Sequence, residues 1–211
     1  MGENGHDGHG HPHEDPKHET SPWAARIRAV EELLAEKGVL THEEVEAQIA
    51  YMEARSYENG AHLVARAWTD PAFKELLLRD TKAACSELGL DVSGTVEFVT
   101  VENTPTTHNL IVCTLCSCYP RAILGRPPDW YKSPAYRSRA VVEPRAVIGE
   151  FGLEIPDDVS VSVHDSSADI RYLVLPMRPP GTEGMTEEEL ADLVTRDCLV
   201  GTALPREPAR A

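Results

Sequence analysis

Val112-Cys113-Thr114-Leu115-Cys116-Ser117-Cys118 places three of the chain's five cysteines within seven residues. Thiolates favour soft metal ions, and the spacing narrows the choice. If an ion takes the Cys118 sulfur and that residue's own backbone nitrogen, the chelate ring metal–S–Cβ–Cα–N has five members. The nitrogens of Ser117 and Cys118 close a second ring of that size, and the Cys116 sulfur with the Ser117 nitrogen closes a six-membered one. Cys-Ser-Cys thus offers four roughly coplanar donors, and Cys113 caps them axially. Five protein donors leave one octahedral position open, which marks a catalytic metal rather than a structural one. Amide nitrogens lose protons only to a strongly Lewis-acidic ion, so trivalent cobalt or iron is favoured over zinc.

Three other readings compete. A tetrahedral zinc site needs four side-chain ligands; no second CxxC or HxxxH lies downstream, which leaves His108 as a fourth ligand from the strand leading into the loop. Cys113 and Cys116 as a redox dithiol would have to follow a strand and open a helix within a βαβ unit. The third reading is three buried cysteines without a role.

VCTLCSCYP (112–120), ILGRPPDWYKSPAYRSRAVVEPRAVI (123–148), HDSSADIRYLVLPMRPPGTEG (164–184) and EEELADLVTRDCLVG (187–201) together resemble the α subunit of nitrile hydratase, a family that includes the γ subunit of thiocyanate hydrolase. The resemblance runs from Trp23 to Pro205. It implies that Cys113, Cys116, Ser117 and Cys118 hold one trivalent ion, Cys113 as the unmodified axial thiolate and Ser117 and Cys118 through their amides. Thr114 between the first two cysteines goes with Co(3+) in that family, Fe(3+) being the alternative. The resemblance also implies that Cys116 is oxidised to a sulfinate and Cys118 to a sulfenate, which makes both catalytic as well as ligating. Arginines from a partner β-type subunit would meet the oxidised sulfurs, and a cobalt-insertion activator is a further expected partner.

Two departures bear on substrate. The usual Tyr-Pro-Trp-Pro after the cysteines is here Tyr119-Pro120-Arg121-Ala122, a cation in place of an aromatic wall. Arg121 also occurs in the thiocyanate hydrolase branch, where an anionic substrate suits it; its other reading is a surface arginine at a turn. The stretch between Gly89 and Val99 lacks the glutamine that the family often carries near its site. Trp130 is a second candidate substrate contact, with core or interface as its other role. Arg171 is expected to support the site through a partner contact; Arg137 or Arg139 either pairs with an oxidised cysteine or makes ordinary interface salt bridges.

The composition is compatible with this reading. With 211 residues, 41% of them apolar, the chain can bury a core. Its net charge of −15 argues against nucleic acid and anionic membrane as partners. A polar start and the lack of a long apolar run lead to the expectation of a soluble cytoplasmic protein. An odd cysteine count with three clustered is no secreted disulfide framework, and Cys85 and Cys198 read as small buried apolar residues.

Residues 1–20, with five histidines among Gly, Asp and Glu, are expected to be a disordered tail, either a collector of divalent cobalt or a segment of incidental metal affinity. A helical N-terminal arm is expected over 21–68: Ser21-Pro22 starts one helix with Trp23, Ile27, Val30 and Leu34 on one stripe, and Thr41 with Glu44 caps another. Both are expected to embrace the partner. Asp70-Pro71 opens a third helix, and a fourth ends at Gly89. Strands are expected at Val96–Thr100, His108–Val112, 159–163 and 170–176, and an acid-started helix from Glu187 to Cys198. The fold class is α+β, a helical arm followed by a layered α/β sheet domain over 69–211 that carries the cysteine loop. The expected reaction is hydration of a nitrile to an amide; hydrolysis of thiocyanate to carbonyl sulfide and ammonia is the alternative, and a non-catalytic metal-binding subunit the third.

Overall fold

The computed structural model describes residues 22–53, 55–92, 97–116 and 118–208. The His-rich tail, the Ser21 cap, Ser117, and residues 93–96 of the glutamine-poor stretch lie outside them. Helices α1 (Pro22–Glu36) and α2 (His42–Glu53) come first. Gly38, at φ +64°, turns the chain between them, and the expected capping box forms: Glu44 N donates to Thr41 Oγ1 (3.1 Å) and Thr41 N to Glu44 Oε2 (2.8 Å). Trp23 and Ile27 are 66% and 67% exposed. No residue of α2 is buried.

α3 (Glu58–Thr69), the last helix of the 21–68 stretch, packs into the core. Its Leu63, Val64 and Ala65 have no exposed surface. Gly60 explains the fit: a Cβ there would come within 3 Å of both Leu199 and Leu124 side chains, so its absence lets α3 sit flush on the core. Asp70 caps α4 (Pro71–Arg79) by accepting from the Ala72 and Phe73 amides, and Asp80 caps α5 (Thr81–Glu87). α4 then covers β1 (Glu97–Glu102).

β1 and β2 (Thr107–Val112) flank the turn at Pro105 but form no hairpin. The one isolated antiparallel bridge beside them, Thr104 to Thr107, lies in that turn. β1 pairs instead with β4 (Ile170–Leu175), and β2 with β3 (Ser160–Asp165), both in parallel. β2 is buried at five of its six positions, as expected of parallel strands covered on both faces. β4 lies against β2, which joins the two pairs into one layered core.

Between β2 and β3 run four short helices: α6 (Arg121–Leu124), α7 (Asp129–Lys132), α8 (Pro134–Arg139) and α9 (Pro144–Glu150). The helix expected over Glu187–Cys198 is two pieces, α10 (Glu187–Ala191) and α11 (Arg196–Val200). Thr195 causes the break: its hydroxyl accepts from the Cys198 amide, so it starts a helix instead of continuing one. Cys198 and Cys85 are fully buried, and burial pushes their thiols up to about 11 and about 12. They are inert core residues.

Candidate metal centre

β2 delivers the chain to the loop at Val112, and Cys113 follows with no exposed surface. The Cys116 amide donates back to the Cys113 sulfur (3.2 Å), curling the loop so that Cys116 and Cys118 swing towards it. The three sulfurs lie within 4.8 Å of one another. Cys113 and Cys116 are 3.5 Å apart and Cys116 and Cys118 3.1 Å apart, and none of the three is in a disulfide. With metal–sulfur bonds of about 2.3 Å, sulfurs at right angles stand about 3.3 Å apart and tetrahedral ones about 3.8 Å. The observed separations fall around the first value. Sulfurs this close can share a single ion.

His108 is not available as a fourth zinc ligand. It is buried and donates from Nε2 to the Gly201 carbonyl at 2.7 Å. Among the described residues, the three cysteines form the one grouping able to hold a metal. Ser117, expected to give an amide nitrogen, lies outside the described residues.

The loop backbone is held from three directions. From the end of β3, Asp165 accepts from the Thr114 amide (2.9 Å) and hydroxyl (2.6 Å), and the Ser166 amide donates to Val112 O (2.7 Å). From α8, Arg137 Nε donates to Cys113 O (3.2 Å), Arg137 Nη2 to Thr114 O (3.0 Å), and Tyr136 OH to Ile111 O (2.6 Å). From α7, Tyr131 OH donates to Cys118 O (2.9 Å). These contacts commit the loop's backbone groups to partners outside it, while the sulfurs lie beside one another. Of the two arginines expected near the cysteines, Arg137 takes this backbone role, whereas Arg139 pairs with Glu143 and Glu150.

Three thiols this close resist ionising together. Burial, then the hydrogen bond from Cys116 and the charge of Cys113, push the Cys118 thiol up to about 12, while Arg171 pulls it down. A highly charged cation at the loop would favour the thiolate. Arg171 itself donates to the carbonyls of Ser167, Ala168 and Ile170, so its charge is anchored near the loop by the turn that precedes β4.

The substrate candidates separate. Arg121 opens α6, is exposed, and lines a cavity of about 440 Å³ with Ile49, Met52, Glu53, Arg55, Gly125 and Arg126. Trp130 is a correction: it has no exposed surface and packs edge-on against Tyr136 (4.9 Å) and Phe151 (4.7 Å). A substrate has no access to it. Its ring supports Tyr131 and Tyr136, which in turn grip the loop.

The family profile described as nitrile hydratase, alpha chain, matches residues 21–203. The chain belongs to the nitrile hydratase α-chain family. The low-molecular-weight cobalt-containing nitrile hydratase subunit alpha of Rhodococcus rhodochrous is 51% identical over 189 residues, 89% of this chain and 91% of that one. The thiocyanate hydrolase subunit gamma of Thiobacillus thioparus is 43% identical over 199 residues, 89% and 82% of the two chains. A doubly substituted iron-type nitrile hydratase from Comamonas testosteroni Ni1 superposes with a TM-score of 0.84 at 43% identity, covering 90% of this chain and 95% of that one. Nitrile hydratase α subunits are parts of a hydro-lyase that works as a hetero-oligomer with β subunits. No helix among the described residues is long and apolar enough to cross a membrane.

Asp165 and the hydroxyls of Tyr131 and Tyr136 were not singled out from the sequence. Asp165 closes an alternating strand directly before a Ser-Ser turn, the kind of terminus at which a loop anchor sits. Nothing local distinguishes the two tyrosines from ordinary core residues.

Proposed function

We propose that this chain is the metal-holding α subunit of a cobalt nitrile hydratase. The observation that carries this is the clustering of Cys113, Cys116 and Cys118 at separations that let them share a single ion. In this reading Cys113, Cys116, Ser117 and Cys118 hold one Co(3+) per chain. The ion would supply Lewis acidity at an open position, polarising a C≡N bond. Cys116 works as a sulfinate and Cys118 as a sulfenate whose oxygen acts as base or nucleophile towards the nitrile carbon. Addition of one water across C≡N, followed by tautomerisation, yields the amide.

The outer side of the loop supports a covering partner. Leu115, at its apex, is 80% exposed, and Cys116 is exposed as well. A dry site needs that side closed, and oxidised sulfurs need cationic donors; a β-type subunit supplying arginines provides both. The exposed apolar stripe of α1 gives the same partner a second hold.

Thiocyanate hydrolysis is the second reading, favoured by one observation. In a chain of net charge −15, Arg121 lines a cavity with Arg55 and Arg126 against one carboxylate, Glu53. Such a local excess of cations suits a small anion.

The test is co-expression with the partner subunit in cobalt medium, followed by metal analysis and assays on a nitrile and on thiocyanate. One cobalt per chain with amide product is expected, and Cys113→Ser should lose the metal. Carbonyl sulfide from thiocyanate would move the assignment to the second reading; zinc with neither activity would end both.

A further inference from the structure

β2 is apolar from Leu110 to Val112, yet the two positions before them, His108 and Asn109, are polar and only 4% exposed. Neither belongs to the sulfur cluster. Burying two polar side chains in a strand covered on both faces is costly unless every polar atom is met. Here the partners assign each donor and acceptor in turn.

A carbonyl only accepts, so His108 Nε2 carries a proton towards Gly201 O (2.7 Å). Neutral His108 then leaves Nδ1 to accept from Asn103 Nδ2 (3.4 Å). That orients Asn103 so that its Oδ1 accepts both the Asn109 amide (2.8 Å) and Asn109 Nδ2 (2.9 Å). Asn109 Nδ2 donates also to Glu102 O (2.8 Å). Its remaining atom, Oδ1, faces His164 Nε2 at 2.8 Å and so accepts from it. The chain of bonds joins the end of β1, β2, the residue capping α11, and β3.

The last bond bears on the metal loop. β3 alternates Val161 and Val163 with Ser160, Ser162 and His164, none of them fully buried. A slip of two residues along β2 would keep the same side chains on the same face, so the apolar pattern specifies this register weakly. The slip would carry Asp165 about 6.6 Å along the strand, out of reach of Thr114. We propose that Asn109, oriented by Asn103 and His108, pins the register of β3 through His164, and so sets Asp165 on the cysteine loop. Asn109 and His164 are positioning residues for the metal centre. This rests on the reading of that loop as a cobalt site.

The test uses two variants of the partnered enzyme. His164→Leu removes the donor, whereas His164→Gln keeps an N–H at nearly the same reach; both lose the ring contact with Tyr172, so comparing them isolates the hydrogen bond. Hydrogen exchange is followed at the Thr114 amide and, as a control, at Val99 and Val101 of β1. In His164→Leu, Thr114 exchange should accelerate about tenfold, the worth of one buried hydrogen bond, with the β1 amides unchanged. His164→Gln should return it to within about threefold of the parent, a fraction of that bond. The pin is refuted if Leu leaves Thr114 unchanged, if Gln fails to restore it, or if Leu speeds β1 equally. Cobalt content, measured in parallel, tests the metal reading separately: the expected exchange pattern in a protein without cobalt would keep the pin and remove the cobalt assignment.

Discussion

Asp165→Ala tests how much of the metal loop's order comes from outside it. The carboxylate accepts two hydrogen bonds from one residue, the Thr114 amide at 2.9 Å and hydroxyl at 2.6 Å. Bonds to a charged acceptor are worth about 1.5–3 kcal/mol each when buried. Asp165 is exposed and Thr114 half-buried, so water replaces part of each. About 1 kcal/mol apiece is the appropriate figure, and the pair contributes about 2 kcal/mol. That corresponds to about a 30-fold shift from the closed loop to a frayed one. Hydrogen exchange of the Thr114 amide in the partnered enzyme should rise by that factor, and cobalt per chain should fall. Asp165→Asn, which keeps an oxygen for the amide, should fall between. Parent-like exchange and cobalt content in Asp165→Ala would show that the loop is ordered by its own covalent geometry and by Arg137, and the reasoning would fail.

Gly201→Ala should be among the most destabilising single changes: the glycine has φ +97° and a Cβ would stand 1.9 Å from Asn109 O. A loss on the order of 3 kcal/mol or more is expected in urea unfolding; a loss below about 1 kcal/mol would contradict the packing described. Burial lowers the pKa of both His108 and His164, so the folded chain binds fewer protons than the unfolded one. Their contribution is complete above the unfolded value of about 6.5 and is lost as pH falls through it, by up to about 1.4 kcal/mol per pH unit for each. Unfolding at pH 7.5 and 5.5 should reveal that slope, and His108→Gln should reduce it. Arg121→Trp should shift the relative rate from thiocyanate towards a small neutral nitrile by tenfold or more, about the worth of one charge-assisted contact. Equal relative rates in parent and variant would remove Arg121 from the substrate's surroundings.

The three-cysteine cluster could be read from the sequence because it depends only on near neighbours. Chelate ring size follows from the single residue between Cys116 and Cys118, and helix starts at Thr41 and Asp70 follow from side chains within three residues of the amides they cap. What holds the donor set comes from far along the chain. Asp165 reaches Thr114 across 51 residues, and Arg137 reaches it across 23. Such contacts arise from strand pairing, and pairing is a choice among registers and partners that local pattern constrains weakly. The turn at Pro105 joins β1 to β2 in sequence, yet β1 pairs with β4 and β2 with β3. Trp130 reads as core or interface first and as a pocket wall second until its neighbours are known, and with no exposed surface it is core. The chain's own sequence thus determined which atoms can bind a metal; the tertiary structure decided how rigidly they are held and which faces remain open, because rigidity and exposure are properties of packing between segments distant in sequence.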